Sequence, residues 1–240
     1  MKAMVLCAGF GTRLGDLTRE VPKPMLDVAG KPLLEHILAQ LARHGFTDVA
    51  VNLHFKPELI RDYFGDGTKW NVRLNYSYES ALLGTAGGVK NFEHFFRGER
   101  DFLVHYGDIL TDQDFTAMVE FHRKRRAMAT LLVHERARSN SILKLNAEGR
   151  IVTFLERPPA DAWKGIERTW VNSGICICNP EILDFIPAGQ AADFPKDVFV
   201  KLVSSGRLFG FPLSGYRCAV DSAERLAEAR ATLASRSKHA

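Results

Sequence analysis

Two glycines at the end of an apolar run are the first residues whose types and spacing invite chemistry. In Leu6-Cys7-Ala8-Gly9-Phe10-Gly11-Thr12-Arg13-Leu14, the glycines let backbone N–H groups approach an anion closely. Arg13 adds a fixed cation whose planar fork suits phosphate. A tight strand-to-loop turn needs glycine for the same conformational reason, so the loop alone carries both readings. Lys23 stands further on between Pro22 and Pro24, which fix the local backbone and disfavour helix. A stiffened loop of this kind presents an ammonium group to a phosphate, although in isolation Lys23 also reads as an ordinary solvated lysine.

Two other phosphate motifs are excluded. A P-loop requires G-x4-G-K-[ST], and no Lys-Ser or Lys-Thr pair comes after these glycines. A dinucleotide fingerprint requires G-x-G-x-x-G opening a helix. Here the spacing is Gly9, Gly11, Gly15, and Pro22 and Pro24 interrupt the segment beyond them. The later strand ending Val51-Asn52-Leu53-His54 also lacks the carboxylate that would hold a ribose.

Such a loop needs a strand to carry it. The pattern predicts strands at Lys2–Ala8, Asp48–Leu53, Val72–Tyr76 and Asp101–Tyr106, alternating with helices at Pro32–His44, Pro57–Phe64 and Gly87–Phe96. This alternation predicts an α/β fold, a Rossmann-like and mostly parallel sheet flanked by helices. The glycine loop then lies at a strand's carboxyl end, where open α/β sheets bind ligands. After a helix from Asp112 to Arg126 the pattern changes. Strands are expected at Ala129–Glu135, Ser141–Leu145, Arg150–Leu155, Trp170–Cys178 and Leu208–Pro212, with Asn146–Gly149 as a hairpin turn. A helix is expected at Asp197–Val203 and a last one at Glu224–Ala234.

Composition sets the outer limits. The chain has 240 residues, 46% hydrophobic and 25% charged, so it buries a core without disulfide or metal staples. Its four cysteines form no CxxC pair, and buried reduced thiols fit a cytoplasmic location. Cys176 and Cys178 should share one face of a strand. The net charge of +4 is modest. The run Arg123–Arg126 ends a helix, where cations suit the dipole, so no nucleic-acid partner is expected. No apolar run approaches the ~20 residues of a membrane span, and no secretory leader is expected at Met1.

Taken together, Leu6–Thr18 and Pro22-Lys23-Pro24-Met25 resemble the signature of the sugar-1-phosphate nucleotidylyltransferases, or NDP-sugar pyrophosphorylases. The resemblance continues in order along the chain. Leu83-Gly84-Thr85-Ala86-Gly87 looks like the family's nucleotide-base loop. Tyr106-Gly107-Asp108 looks like its metal-binding strand end. Phe154-Leu155-Glu156-Arg157-Pro158 and Val171-Asn172-Ser173-Gly174 look like its two sugar-side motifs. Asp221 matches a late aspartate. Departures are Cys7 for alanine, Asp16 for proline, Arg157 for lysine and Ser222-Ala223 after the late aspartate. No β-helix extension is expected after Ala240.

The resemblance implies one domain over residues 1–240. Its nucleotide-binding half would run to about residue 125, and its sugar-binding half with the C-terminal helix from about 126. Antiparallel additions would cover the sugar site. It implies that a nucleoside triphosphate and a sugar 1-phosphate become an NDP-sugar and pyrophosphate, with Mg²⁺ as cofactor. Ala8, Gly9, Gly11, Thr12 and Arg13 would hold the nucleotide phosphates, Lys23 the reacting phosphate, and Asp108 and Asp221 the metal. Gly87 and its loop would admit the base, read partly through backbone groups. Arg157 would meet the sugar phosphate, and Glu156 and Asn172 the sugar hydroxyls. Arg13, Lys23 and Asp108 would carry catalysis. The attacking phosphate oxygen is already anionic, so positioning and charge neutralisation suffice. Plainer readings stand beside these: Asp108 as cap of the next helix, and Glu156-Arg157 as a surface pair. The loop suggests GTP with mannose 1-phosphate or a related heptose 1-phosphate. Uridylyl or thymidylyl transfer to an amino sugar 1-phosphate or glucose 1-phosphate is the alternative. A non-catalytic NDP-sugar-binding regulator is the alternative of another class. Oligomeric state is left open.

Overall fold

The computed structural model describes residues 1–137 and 139–237. The chain forms two compact units whose segments interleave in sequence. The chain leaves the first unit and re-enters it twice.

The first unit comprises Met1–Leu82, His105–Gln113 and Gly215–Ala240. Its strands are β1 (Lys2–Leu6), the short pair β2 (Asp27–Val28) and β3 (Lys31–Pro32), β4 (Asp48–Leu53) and β5 (Arg73–Tyr78). β1 pairs parallel with β4, Val5 facing Val51, and β4 pairs parallel with β5. Ala3, Met4, Val5, Val49, Ala50 and Val51 are wholly buried, as a strand covered on both faces requires. The crossovers carry the expected helices, Leu33–Arg43 and Pro57–Phe64. The first turns Leu33, Leu34, Ile37, Leu38 and Leu41 inward, the i, i+3, i+4 stripe of an amphipathic helix.

β6 (Phe102–Tyr106) begins in the second unit and ends in the first. β7 (Ile109–Thr111) comes directly after it and pairs antiparallel with the strand Arg217–Ala219. The C-terminal helix runs from Ala223 to Ser237. A core of Leu14, Leu26, Leu110, Cys218, Val220 and Leu226 ties the segment after the glycine loop to β7, its partner strand and this last helix. Each buried leucine contributes about 1.5–3 kcal/mol, so these loops are held by packing and not by their own propensity.

The second unit comprises Leu83–Val104 and Asp114–Ser214. It contains β8 (Ala129–Arg136), β9 (Ser141–Leu145), β10 (Ile151–Glu156), β11 (Thr169–Cys178) and β12 (Leu208–Pro212). β9–β10 and β8–β11 are antiparallel, and β12 runs parallel to β8. The predicted hairpin turn is present, with Asn146 Oδ1 accepting from the N–H groups of Glu148 and Arg150. Cys176 and Cys178 do share a face, their Sγ atoms 3.5 Å apart. The fold is thus the expected mixed α/β type, with a parallel ladder and antiparallel additions.

Several helix boundaries differ from the sequence pattern. The helix expected from Asp112 starts at Phe115, because the Asp114 carboxylate accepts the Ala117 N–H and caps it. Asp108 therefore caps nothing. The helix expected at Gly87–Phe96 is two helices, Gly84–Asn91 and Glu93–Phe96, broken at Phe92. The helical segment expected from Asp197 begins at Phe194.

Candidate functional site

In the first unit the glycine loop hangs from two neighbouring strands. The Cys7 N–H donates to Asn52 Oδ1 at 2.8 Å, and Asn52 Nδ2 donates to Glu79 Oε1 at 2.7 Å. Asn52 and Glu79 are almost wholly buried. Sequence reasoning passed over both. The available signal was a polar residue inside an apolar strand, which must find a buried partner. Beyond Ala8 the loop is open: a Cβ on Gly9 would meet nothing within 4 Å, so its backbone is free to be approached closely. Gly11 has φ +67°, and a Cβ there would come within 3.1 Å of Thr18 and 3.4 Å of the Lys23 stem. Thr18 Oγ1 donates to the Gly11 carbonyl at 3.0 Å. Thr12–Thr18 forms tight helical turns that no side chain caps, leaving Thr12 and Arg13 at an uncapped start.

Two of the three expected cations meet the two expected carboxylates. Arg13 Nη1 lies 3.1 Å from Asp221 Oδ2, with the arginine side chain 71% exposed. Lys23 Nζ lies 3.1 Å from Asp108 Oδ2, with the lysine side chain only 12% exposed. Pro22 is extended at φ −63°, ψ 145°, so the two prolines and the Gly11 contact direct Lys23 to its partner.

Asp108 is positioned by the glycine before it. The Gly107 N–H donates to the Leu6 carbonyl at 2.9 Å. A Cβ on Gly107 would fall 2.6 Å from that oxygen and 2.9 Å from Cys7 Sγ, so only glycine fits. The Asp108 carbonyl accepts the Val220 N–H at 2.8 Å, and Ile109 faces Ala219 in the ladder. Asp108 and Asp221 therefore stand at the same end of that two-stranded ladder. Among the described residues no group of three His, Cys, Asp or Glu side chains could hold a metal. A pair of carboxylates does not make a self-contained cage, but it is what Mg²⁺ accepts when substrate phosphates and water complete its shell. Burial, helped by the Asp108 charge, pushes the Cys7 thiol far up, which keeps it protonated and unreactive. Burial holds His105 down at about 4 against the carbonyl of Tyr106 and the Asp108 charge, which pull it upward.

In the second unit, Glu156 ends β10 half-buried. Burial raises its carboxyl above the ordinary range; Arg157 opposes this and Asp193 adds to it. Arg157 is exposed, with φ +48°, and its N–H donates to the Asn140 carbonyl at 2.6 Å. Asn172 is half-buried where the β8–β11 register shifts, and its Oδ1 accepts the Gly174 N–H at 3.1 Å. The loop Leu83–Gly87 runs into the helix Gly84–Asn91. The Ala86 and Gly87 N–H groups donate to the Ala192 carbonyl, and the Thr85 N–H to Asp193 Oδ1. These three backbone donors are therefore engaged within the chain. Leu83, Gly87 and Gln190 also line a cavity of about 430 Å³.

Comparison with known proteins gives the context for this geometry. The family model described as nucleotidyl transferase matches residues 2–229. The chain is 39% identical to the UTP–glucose-1-phosphate uridylyltransferase of Synechocystis sp., over 87% of this chain and 57% of that protein. It is 33% identical to the mannose-1-phosphate guanylyltransferase of Mycobacterium tuberculosis, over 89% of this chain and 59% of that protein. The chain thus spans under two thirds of the length of these curated relatives. Its fold matches a Bacillus anthracis structure assigned as a glucose-1-phosphate thymidylyltransferase in complex with sucrose. The TM-score is 0.84 at 20% identity, covering 97% of this chain and 94% of that one.

Proposed function

The chain belongs to the nucleotidyl transferase family, and from that premise we propose that it joins a nucleoside triphosphate to a sugar 1-phosphate, releasing pyrophosphate. The observation that carries this reading is the pairing of Arg13 with Asp221 and Lys23 with Asp108 beside the open glycine loop. Two cations and two carboxylates in one compact unit are what a triphosphate with a hard cation needs.

An oxygen of the sugar phosphate attacks the α-phosphorus, the bond from that phosphorus to the bridging oxygen breaks, and pyrophosphate leaves with the electron pair. No proton must be removed from the attacking oxygen, so the residues act by placement and charge. Ala8, Gly9, Gly11 and Thr12 offer backbone to the β- and γ-phosphates, and Arg13 turns its fork from Asp221 to them. The exposed Arg13–Asp221 pair opposes that exchange weakly, since such pairs contribute about 0–1 kcal/mol. Lys23 is more enclosed and steadies the α-phosphate. Asp108 and Asp221 would hold Mg²⁺, which when bound neutralises charge on the phosphate oxygens. Arg157 receives the sugar phosphate, Glu156 and Asn172 bond sugar hydroxyls, and the loop at Gly87 admits the base.

The resemblance of Leu83–Gly87 supports GTP with mannose 1-phosphate or a related heptose 1-phosphate. The 39% identity to a uridylyltransferase supports UTP with glucose 1-phosphate as the second reading. The four cysteines are free and buried, which supports a cytoplasmic setting. Among the described residues no helix is long and apolar enough to cross a membrane. Pyrophosphate release, screened across GTP, UTP, dTTP and ATP against a panel of sugar 1-phosphates, tests the reading. Release requiring both substrates supports it; binding of NDP-sugar without release would make the protein a non-catalytic regulator.

A further inference from the structure

The helix Gly84–Asn91 opens without a cap of its own. Leu83 occupies the N-cap position and its side chain makes no capping hydrogen bond; leucine is among the poorest caps. The first N–H groups of a helix still need acceptors. They find them on a strap far along the chain, Gln190–Phe194. The Ala86 and Gly87 N–H groups donate to the Ala192 carbonyl at 2.8 and 3.0 Å, and the Ala192 N–H donates back to the Leu83 carbonyl at 2.9 Å. Asp193 supplies the missing cap. Its Oδ1 accepts from the Thr85 N–H at 3.1 Å and from Thr85 Oγ1 at 3.2 Å. Thr85 Oγ1 in turn accepts the Phe194 N–H at 2.9 Å.

The strap leaves no slack. A Cβ on Gly84, at φ +73°, would fall 2.6 Å from the Ala192 carbonyl oxygen, and one on Gly87 would fall 2.8 Å from that of Gln190. The glycines of this loop are thus needed for close contact with the strap. Asp193 is itself fixed: its N–H donates to Asp197 Oδ2 at 2.8 Å, and its carbonyl accepts the Asp197 N–H at 2.8 Å. A carboxylate at the positive end of a helix is also electrostatically placed. The Asp193 charge reaches Glu156 as well, where it adds to the effect of burial.

We propose that Asp193 is a positioning residue that caps the helix behind Leu83–Gly87 in trans and so sets the loop shape by which one nucleobase is preferred over another. The inference rests on the reading of Leu83–Gly87 as the base loop. With its first N–H groups engaged by the strap, the loop selects a base by its shape and remaining carbonyls, and that shape depends on the Thr85–Asp193 contact. Asp193 touches no reacting atom.

The experiment measures kcat and KM for GTP, UTP and dTTP at pH 8 with the best sugar 1-phosphate, in wild type and in Asp193→Ala, Asp193→Asn and Thr85→Val. Asp193→Ala should raise KM for the preferred triphosphate about tenfold and compress the ratio of kcat/KM between preferred and rejected bases by a similar factor. KM for the sugar 1-phosphate should stay within about twofold. Asp193→Asn keeps an oxygen acceptor for both Thr85 donors and should recover most of the loss. Thr85→Val removes one of the two bonds to Asp193 and the acceptor of the Phe194 N–H, and leaves the Thr85 N–H on Asp193; it should give a change of the same sign, which keeps the test informative if Asp193→Ala folds poorly. An active wild type whose base ratio is unchanged by Asp193→Ala and Thr85→Val overturns this inference alone. A wild type that releases no pyrophosphate with any pair overturns the functional reading and the inference with it.

Discussion

Replacing Gly107 with alanine adds one methyl group and no charge, yet it should impair catalysis through Asp108. The added Cβ would lie 2.6 Å from the Leu6 carbonyl oxygen and 2.9 Å from Cys7 Sγ, where ordinary contact begins at 3.4 Å. The backbone oxygen belongs to β1, whose neighbours are wholly buried, so the β6–β7 turn must move instead, by about 0.8 Å. Overpacking of this kind costs about 1–3 kcal/mol. At roughly 2–4 °C per kcal/mol for a domain of this size, Tm should fall by several degrees. Misplacing a catalytic group by about 1 Å can cost on the order of a hundredfold in rate, so kcat should drop by about that factor and the Mg²⁺ requirement should rise. Gly9→Ala is the control: beyond its chain neighbours, no described residue lies within 4 Å of its Cβ. It should leave Tm unchanged while raising the triphosphate KM, because the methyl group occupies space proposed for phosphate. Continuous pyrophosphate-release assays and thermal melts on both variants give the comparison. A Gly107→Ala protein with wild-type Tm and kcat would refute the claim that this close approach positions Asp108.

Three further outcomes are expected from the same geometry. Asp108→Asn should lower turnover roughly a thousandfold with the fold intact, since a lost metal contact costs several kcal/mol and each ~1.4 kcal/mol is tenfold; steady-state turnover at saturating Mg²⁺ checks it. Arg157→Ala should raise KM for the sugar 1-phosphate tenfold or more, as charge-assisted bonds contribute about 1.5–3 kcal/mol, while leaving the nucleotide KM nearly unchanged; Arg157→Lys should recover part of it, and both KM values for the two variants decide the matter. His105 is neutral and buried when folded, with a pKa of about 4 against 6.5, so the unfolded chain binds its proton first and stability is lost as pH falls through that window. The shift corresponds to about 3 kcal/mol, so His105→Gln should flatten the fall in Tm between pH 7 and pH 4, measured against wild type.

The strands and long helices were legible because each is encoded locally. Ala3–Val5 and Val49–Val51 are short apolar runs, and Leu33–Leu41 repeats at helical spacing. What escaped the sequence depends on partners far away in the chain. Asp108 reads in sequence as a possible cap of the next helix, and only the turn geometry assigns that cap to Asp114. The first turn of the helix at Gly84 has no local cap, so its start could not be read without Asp193. The glycine loop was visible as a pattern, but the buried Asn52–Glu79 pair that hangs it joins residues 27 positions apart. Arg13 and Lys23 stand out by type and spacing, and Asp108 and Asp221 only by resemblance. Their meeting as two ion pairs depends on the leucine-rich core beneath them, which no motif describes.

The most direct test of the account is pyrophosphate release from the purified protein, with a triphosphate and a sugar 1-phosphate supplied separately and together, with and without Mg²⁺, beside the Asp108→Asn variant. The account predicts release only when both substrates and the metal are present, in equal amount to the NDP-sugar formed, and its near-absence in the variant. Release that needs no sugar phosphate, or that persists undiminished in Asp108→Asn, would contradict it.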